Sequence, residues 1–261
     1  MCRHWNDLPE AWAWIASLLG WAWSQAFARK FIFLILLPVA TFGADSAQLN
    51  LTAAQNYRLF SAVRTQDQAA MVEAIRAGAN VNARGKHAIT PLMLAVDLGH
   101  LPAVVELLAS HANPNDKADD GASPVSLAAV GYKRHPDILT AVMKGGGDPN
   151  ILLPNGDPVV NHFVDLRNCE YIRLMKSFGA NLDAATRTRD PLIIGAALAD
   201  DWDAVLCLIQ AGANFRHQDG RYPLSKILAE RYPGPGSPMY PYKQQVWQHL
   251  RSNGIAVQPL E

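Results

Sequence analysis

The sequence predicts an all-α solenoid of about five to six helix–turn–helix repeats with projecting hairpin loops. Three observations carry that prediction. The stretch "ITPLMLAVDLGHLPAVVELLASHANPN" holds a Thr-Pro start, a Gly-His break and an Asn-Pro-Asn ending inside one apolar run. That punctuation suits two short helices rather than one long one. A proline recurs at Pro91, Pro124, Pro158, Pro191 and Pro223, in steps of 33, 34, 33 and 32 residues. A second marker recurs at Gly78, His111, Gly146, Gly179 and Gly212, in steps of 33, 35, 33 and 33. Two independent markers that keep one period define a repeat array.

Residues 1–47 stand apart from the repeat. Five of the seven tryptophans, Trp5, Trp12, Trp14, Trp21 and Trp23, lie here, followed by Arg29-Lys30 and the apolar run Phe31 to Ala40. The small residues of "TFGADSA" come next, and the order fits a secretory signal peptide. The run is short for a membrane span, which needs about 20 residues. Two alternatives stay open. The Trp-rich segment can form an uncleaved hairpin anchoring the chain to the inner membrane, with Arg29-Lys30 on the cytoplasmic side. Alternatively, translation starts further on, near Leu18 or Leu19. The first reading predicts a periplasmic or otherwise exported protein.

The first unit, 48–86, is expected to cap the array. Its helices should run from about Ala53 to Thr65 and from about Ala69 to Ala77, with no Thr-Pro start. Units 87–221 form the centre. In the second unit Thr90 caps, Pro91 occupies the first turn, and Leu92, Leu94, Ala95 and Leu98 build one apolar face. His100 opens the partner helix, with Ala103, Val104, Leu107 and Leu108 as its stripe. The third unit carries extra residues in "VGYKRHPDI", which lengthen the turn between its helices. The fourth, Gly156 to Asp183, is the most diverged, and the fifth runs from Asp190 to Arg216. A closing unit, 222–261, pairs "YPLSKILAE" with "YKQQVWQHLRSNG" across "RYPGPGSPMYP", whose prolines and glycines oppose helix. Trp247 and Leu250 should cover the last apolar face. Each helix is too short to persist alone, so the stack supplies the stability.

Composition narrows the function. Lys plus Arg and Asp plus Glu both number 23, and this neutral balance argues against a general nucleic-acid binder. Three cysteines make no disulfide framework. Level stacking would separate Cys169 and Cys207 by about 7.5 Å along the axis and roughly 10 Å sideways. Both are therefore expected to be free, buried thiols. No Cys/His cluster points to a metal, and no cofactor fingerprint or activated nucleophile is present. The expectation is a non-enzyme without cofactors. His100 and His135 fall at the Gly-His turn, where a structural role is expected. His162 beside Asn161 is a weaker ligand candidate.

The pattern resembles the ankyrin repeat, whose ideal reads T-P-L-H-x-A-A-x-x-G-H and then V-V-x-L-L-x-x-G-A-x-x-N. The resemblance covers roughly Leu51 to Gly254. One departure is consistent: the histidine of T-P-L-H is replaced by Met93, Ser126, Val160, Ile193 and Ser225, so the polar network between turns should be weaker. The resemblance implies protein binding by the projecting hairpin tips and the inner face of the first helices. Position by position this gives Lys86, His87, Asp119, Asp120, Asn155, Arg187, Arg189 and His217 at the tips. On the helices it gives Asp97, Tyr132 and Asp165. Ile151, Leu152 and Leu153 put three aliphatics at one hairpin, either as an interface anchor or folded back on a neighbour. The loop "PGPGSPMYPY", with Tyr240 and Tyr242, is a further contact candidate. The partner class implied is a protein. Some exported ankyrin proteins resemble immunity proteins that neutralise secreted effectors such as phospholipases; the alternative is a periplasmic stress-protection or scaffold role.

Overall fold

The computed structural model describes residues 51–216, 223–230 and 234–260. Ala54–Glu261 forms one compact unit, with a boundary between Ala53 and Ala54. The expected signal segment lies outside the described residues. Among the described residues twelve α-helices follow one another: α1 (51–65), α2 (Gln68–Arg76), α3 (Pro91–Asp97), α4 (Leu101–Ala109), α5 (Pro124–Gly131), α6 (Pro136–Lys144), α7 (Asn161–Asp165), α8 (Cys169–Ser177), α9 (Leu192–Leu198), α10 (Trp202–Gln210), α11 (Leu224–Glu230) and α12 (Tyr240–Ser252). Strand pairing among the described residues is limited to two isolated bridges, Leu152 to Pro158 and Ala185 to Pro191.

From α3 onward each odd-numbered helix packs on the even one after it, and like helices stack on like: α3 on α5, α4 on α6, α9 on α11 and α10 on α12. The seam is continuous. Leu92, Ala95, Val104 and Leu107 of the second repeat pack into the same core as Val125, Ala129 and Leu139 of the third, and all are buried. Each buried leucine contributes about 2 kcal/mol of apolar transfer. That is how helices of seven to nine residues persist. Between the third and fourth repeats the filling is aromatic. Tyr132 meets Phe163 and Tyr171 with ring centroids 5.2 and 4.5 Å apart, and its hydroxyl accepts a bond from Asn168 Nδ2 at 3.2 Å.

The helix starts divide into two kinds. At α3 and α5 the proline is the first helical residue, and Thr90 and Ser123 accept from the backbone N–H of Met93 and Ser126. Those two residues replace the histidine of the ideal motif, and they close the box. Ser126 Oγ accepts from Ser123 N at 2.7 Å, and Met93 Sδ from Thr90 N at 3.5 Å. Pro158 and Pro191 behave differently from the expected alignment. The bridge at each holds it extended, so α7 starts only at Asn161, and Pro191 is the N-cap of α9. Asp157 and Asp190 stand where Thr90 and Ser123 cap, and neither α7 nor α9 has a side-chain cap bond.

A polar ladder ties the repeats along their loops. Asn82 Oδ1 accepts from Asn113 N, Asn115 Oδ1 from Asp148 N and Asn150 Oδ1 from Asn181 N, each at 2.7 Å. The same amides donate back to the next repeat, at His111 O, Gly146 O and Gly179 O. Asp183 accepts from Asn214 N at 2.7 Å, but a carboxylate has no amide to return. The network between turns thus runs through the Asn marker instead of the missing histidine. Replacing Asn115 by Ala removes both of its inter-repeat bonds. It should cost about 1–2 kcal/mol, since exposed bonds are partly replaced by water. Urea denaturation followed by circular dichroism checks it.

The turns explain the glycine marker. Gly78, Gly146, Gly179 and Gly212 all have φ between +90° and +97°, and His111 holds φ +66° at the same place without glycine's freedom. Gly99, at φ +70°, also has the His135 ring where a Cβ would sit, which gives that histidine its structural role.

The free-thiol expectation is overturned. Cys169 and Cys207 form a disulfide with a Cα–Cα distance of 5.6 Å. The bond joins α8 to α10, and Cys207 is buried. Level stacking was the wrong premise. The disulfide spans 38 residues and the nearby Arg173–Gln210 hydrogen bond spans 37, against a repeat of 33 between Asn168 and Asp201, the N-caps of α8 and α10. These helices therefore pair out of level by about one turn, which removes the axial offset. Facing Cα atoms also lie inside the interaxial spacing.

The closing repeat differs from expectation at one place. Residues 234–239 are turns, but Tyr240 and Tyr242 lie in α12, with Pro241 in its first turn. Leu250 is fully buried, and Trp247 packs against the core while donating Nε1–H to Gln258 O at 2.7 Å. Both cover the last face as expected.

Candidate functional site

The candidate contacts sort into three surfaces. At the first tip a 3-10 turn, Lys86–Ala88, holds His87 at φ +58° and exposes both Lys86 and His87. The next tip exposes Asp119 and Asp120, and Asp119 N–H donates to His87 O at 3.1 Å. Neighbouring tips are thus joined through backbone while their charges point to solvent. Asp97, at the end of α3, is also exposed.

The fourth-repeat hairpin is only partly presented. Ile151 is buried, Leu153 packs against the core, and Leu152 is 47% exposed. The three aliphatics therefore split, two folding inward and one remaining for a partner. Tyr132 is likewise buried in the aromatic seam, 5% exposed, so it is not a surface contact. Asn155 is exposed and braces its own loop: its Nδ2 donates to Asp157 Oδ2 at 3.0 Å.

Asp157 is a functional-looking residue that the sequence did not single out. It is buried, and it accepts from Arg187 N at 2.9 Å across the hairpins, with the Arg187 guanidinium 3.8 Å away. Arg187 is therefore committed partly to holding two tips in register. Arg189 is exposed, with φ +69°. Its neighbours Thr186 and Asp190 close the loop through Thr186 N to Asp190 O at 2.9 Å. His217 lies outside the described residues.

The third surface surrounds His162 and Asp165. Burial holds the His162 pKa below its ordinary value; the Asp165 charge opposes that shift and Lys133 reinforces it. Burial raises the Asp165 pKa, and the Asp157 charge adds to it. The two groups share a face of α7, but no third ligating group joins them. Among the described residues no cluster of three His, Cys, Asp or Glu side chains could hold a metal ion. His162 Nε2 has no hydrogen-bond partner, while the ring stands edge-on to Phe163 at 5.6 Å. The geometry offers contact area instead.

Comparison with known proteins agrees with the architecture. Residues 89–119 match the family model of the ankyrin repeat. The chain is also similar to the E3 ubiquitin-protein ligase KEG of Arabidopsis thaliana, at 30% identity over 135 residues. That alignment covers 50% of this chain and 8% of the ligase, so the likeness concerns a segment of a much longer protein. With paired helices stacked at a 33-residue period and joined by an Asn ladder, the chain carries an ankyrin-repeat helical solenoid, a protein–protein interaction module.

Proposed function

We propose that this module is non-enzymatic, works outside the cytoplasm, and binds and neutralises one secreted effector enzyme. The observation that carries the location is the Cys169–Cys207 bridge. Structural disulfides persist in oxidising compartments and are rare in the cytosol. The signal-like segment before residue 48 supports the same location. The tips favour a single partner over a uniform polyanion, since they are basic at Lys86, acidic at Asp119 and Asp120, and basic again at Arg187 and Arg189. The effector class, with phospholipases as the first example, rests on fold-level analogy.

A pull-down with the full-length chain, tagged at its C-terminus, from whole-cell extract of the producing organism tests this. The expected result is one stoichiometric partner, a secreted hydrolase whose activity falls on binding. Recovery of abundant envelope proteins only, or of nothing, removes the inhibitor reading and leaves a stress-protection or scaffold role.

A further inference from the structure

Between the second and third repeats, on the face formed by first helices and tips, lies a groove of about 210 Å³. Met93 forms its buried floor, and Ile89, Leu94 and Leu127 form its apolar walls. Asp97 and Asp120 stand at its rim, both exposed. Neither carboxylate has a salt-bridge partner among the described residues, although Lys86 and His87 stand on the preceding tip. Asp120 Oδ1 accepts from Ala122 N at 2.9 Å, which fixes the carboxylate and leaves Oδ2 for another donor. One repeat further, Val130 is 59% exposed at the position corresponding to Asp97. The apolar strip thus continues beyond the groove.

We propose that this groove takes an extended segment of the partner protein presenting an aliphatic side chain with a Lys or Arg one or two positions away. The inference rests on the interaction-module reading and names the partner chemistry it needs. An extended segment points alternate side chains the same way, so an aliphatic residue can enter the groove while a nearby cation reaches the rim. Charge decides the second side chain. Two unpaired carboxylates beside apolar walls favour a cation whose methylene stem lies along Leu94 and Leu127 while its head reaches the rim. An acidic segment would meet uncompensated repulsion there.

The test pans a phage-displayed random dodecapeptide library against the full-length chain, then measures the winning synthetic peptide by titration calorimetry. The expected consensus pairs an aliphatic residue with Lys or Arg within two positions. Affinity should fall at least tenfold in the Asp97→Lys/Asp120→Lys double variant. It should return when the peptide's cation is changed to Glu, a charge-swap rescue that a merely structural effect would not give. Both positions are exposed, so the circular dichroism spectrum should be unchanged. An enriched consensus without a cation, undiminished binding to the double variant, or no enriched peptide overturns the proposal. If the protein captured in the pull-down binds the double variant normally, the groove assignment fails while the module reading stands.

Discussion

Replacing Leu107 by Asp is expected to abolish the cooperative unfolding of the array. Leu107 is fully buried in α4, and the same core holds Val104 and Leu92 beside it and Val142 of the next repeat. Removing a buried leucine side chain costs about 2–5 kcal/mol through lost transfer energy and the cavity it leaves. A carboxylate in its place adds the penalty of an unpaired buried charge, which raises its pKa and still leaves a polar group without a partner. The sum is comparable with the whole stability of an ordinary domain, roughly 5–15 kcal/mol. Because each repeat is held by its neighbours, the loss spreads to α3, α5 and α6. The far-ultraviolet circular dichroism signal should drop and the urea transition should broaden or vanish. Leu152→Asp is the control. That side chain is half exposed at a hairpin, and the change should stay within about 0.5 kcal/mol. A sharp, unshifted transition for Leu107→Asp would mean that the stripe read in α4 is not the seam.

The repeat could be read from the sequence because two of its demands are chemical rather than merely apolar. A helix end with φ near +90° selects glycine, and a loop that must both accept and donate to the next loop selects asparagine. Both leave marks at a fixed period. Pro158 and Pro191 mark the same period but misplace the helix start, because proline suits an extended bridge as well as a first turn. Only the loss of Thr or Ser before them, at Asp157 and Asp190, separates the two cases. Cys169 and Cys207 were misread for a different reason. Their meeting depends on a one-turn slip between α8 and α10, set by side-chain packing across repeats, and no local pattern encodes that. Tyr132 followed the same logic. Its position in the repeat points to a surface, yet α5 runs to Gly131, one residue longer than α3, and Tyr132 stays right-handed (φ −55°) where the second repeat has Gly99 at φ +70°, and its ring lies in the seam. The exposure of the charged tips at Lys86, Asp119, Asp120 and Arg189 was legible, because unpaired charges stay in water. The inward turn of Ile151 was not, since an aliphatic triplet fits either side of a hairpin.

Reduction of the Cys169–Cys207 bond is expected to destabilise the fourth and fifth repeats ahead of the rest. The bond closes a loop across 38 residues. Restricting the unfolded chain over such a loop is worth roughly 2–4 kcal/mol. The fourth repeat needs that support most. Its first helix, Asn161–Asp165, has five residues and no side-chain cap, and α9 lacks a capping bond as well. Treatment with dithiothreitol should therefore lower the unfolding free energy by that amount, and the urea midpoint by that amount divided by the m-value. It should also speed amide exchange in α7 and α8 before α3 or α4 respond. The Cys169→Ser/Cys207→Ser variant should match the reduced chain and become indifferent to dithiothreitol. The same bond tests the location. Protein alkylated in intact cells and analysed without reductant should carry neither Cys169 nor Cys207 adduct if the chain folds in an oxidising compartment. Full alkylation of both would remove the disulfide from the native molecule, and with it the observation on which the extracytoplasmic proposal rests.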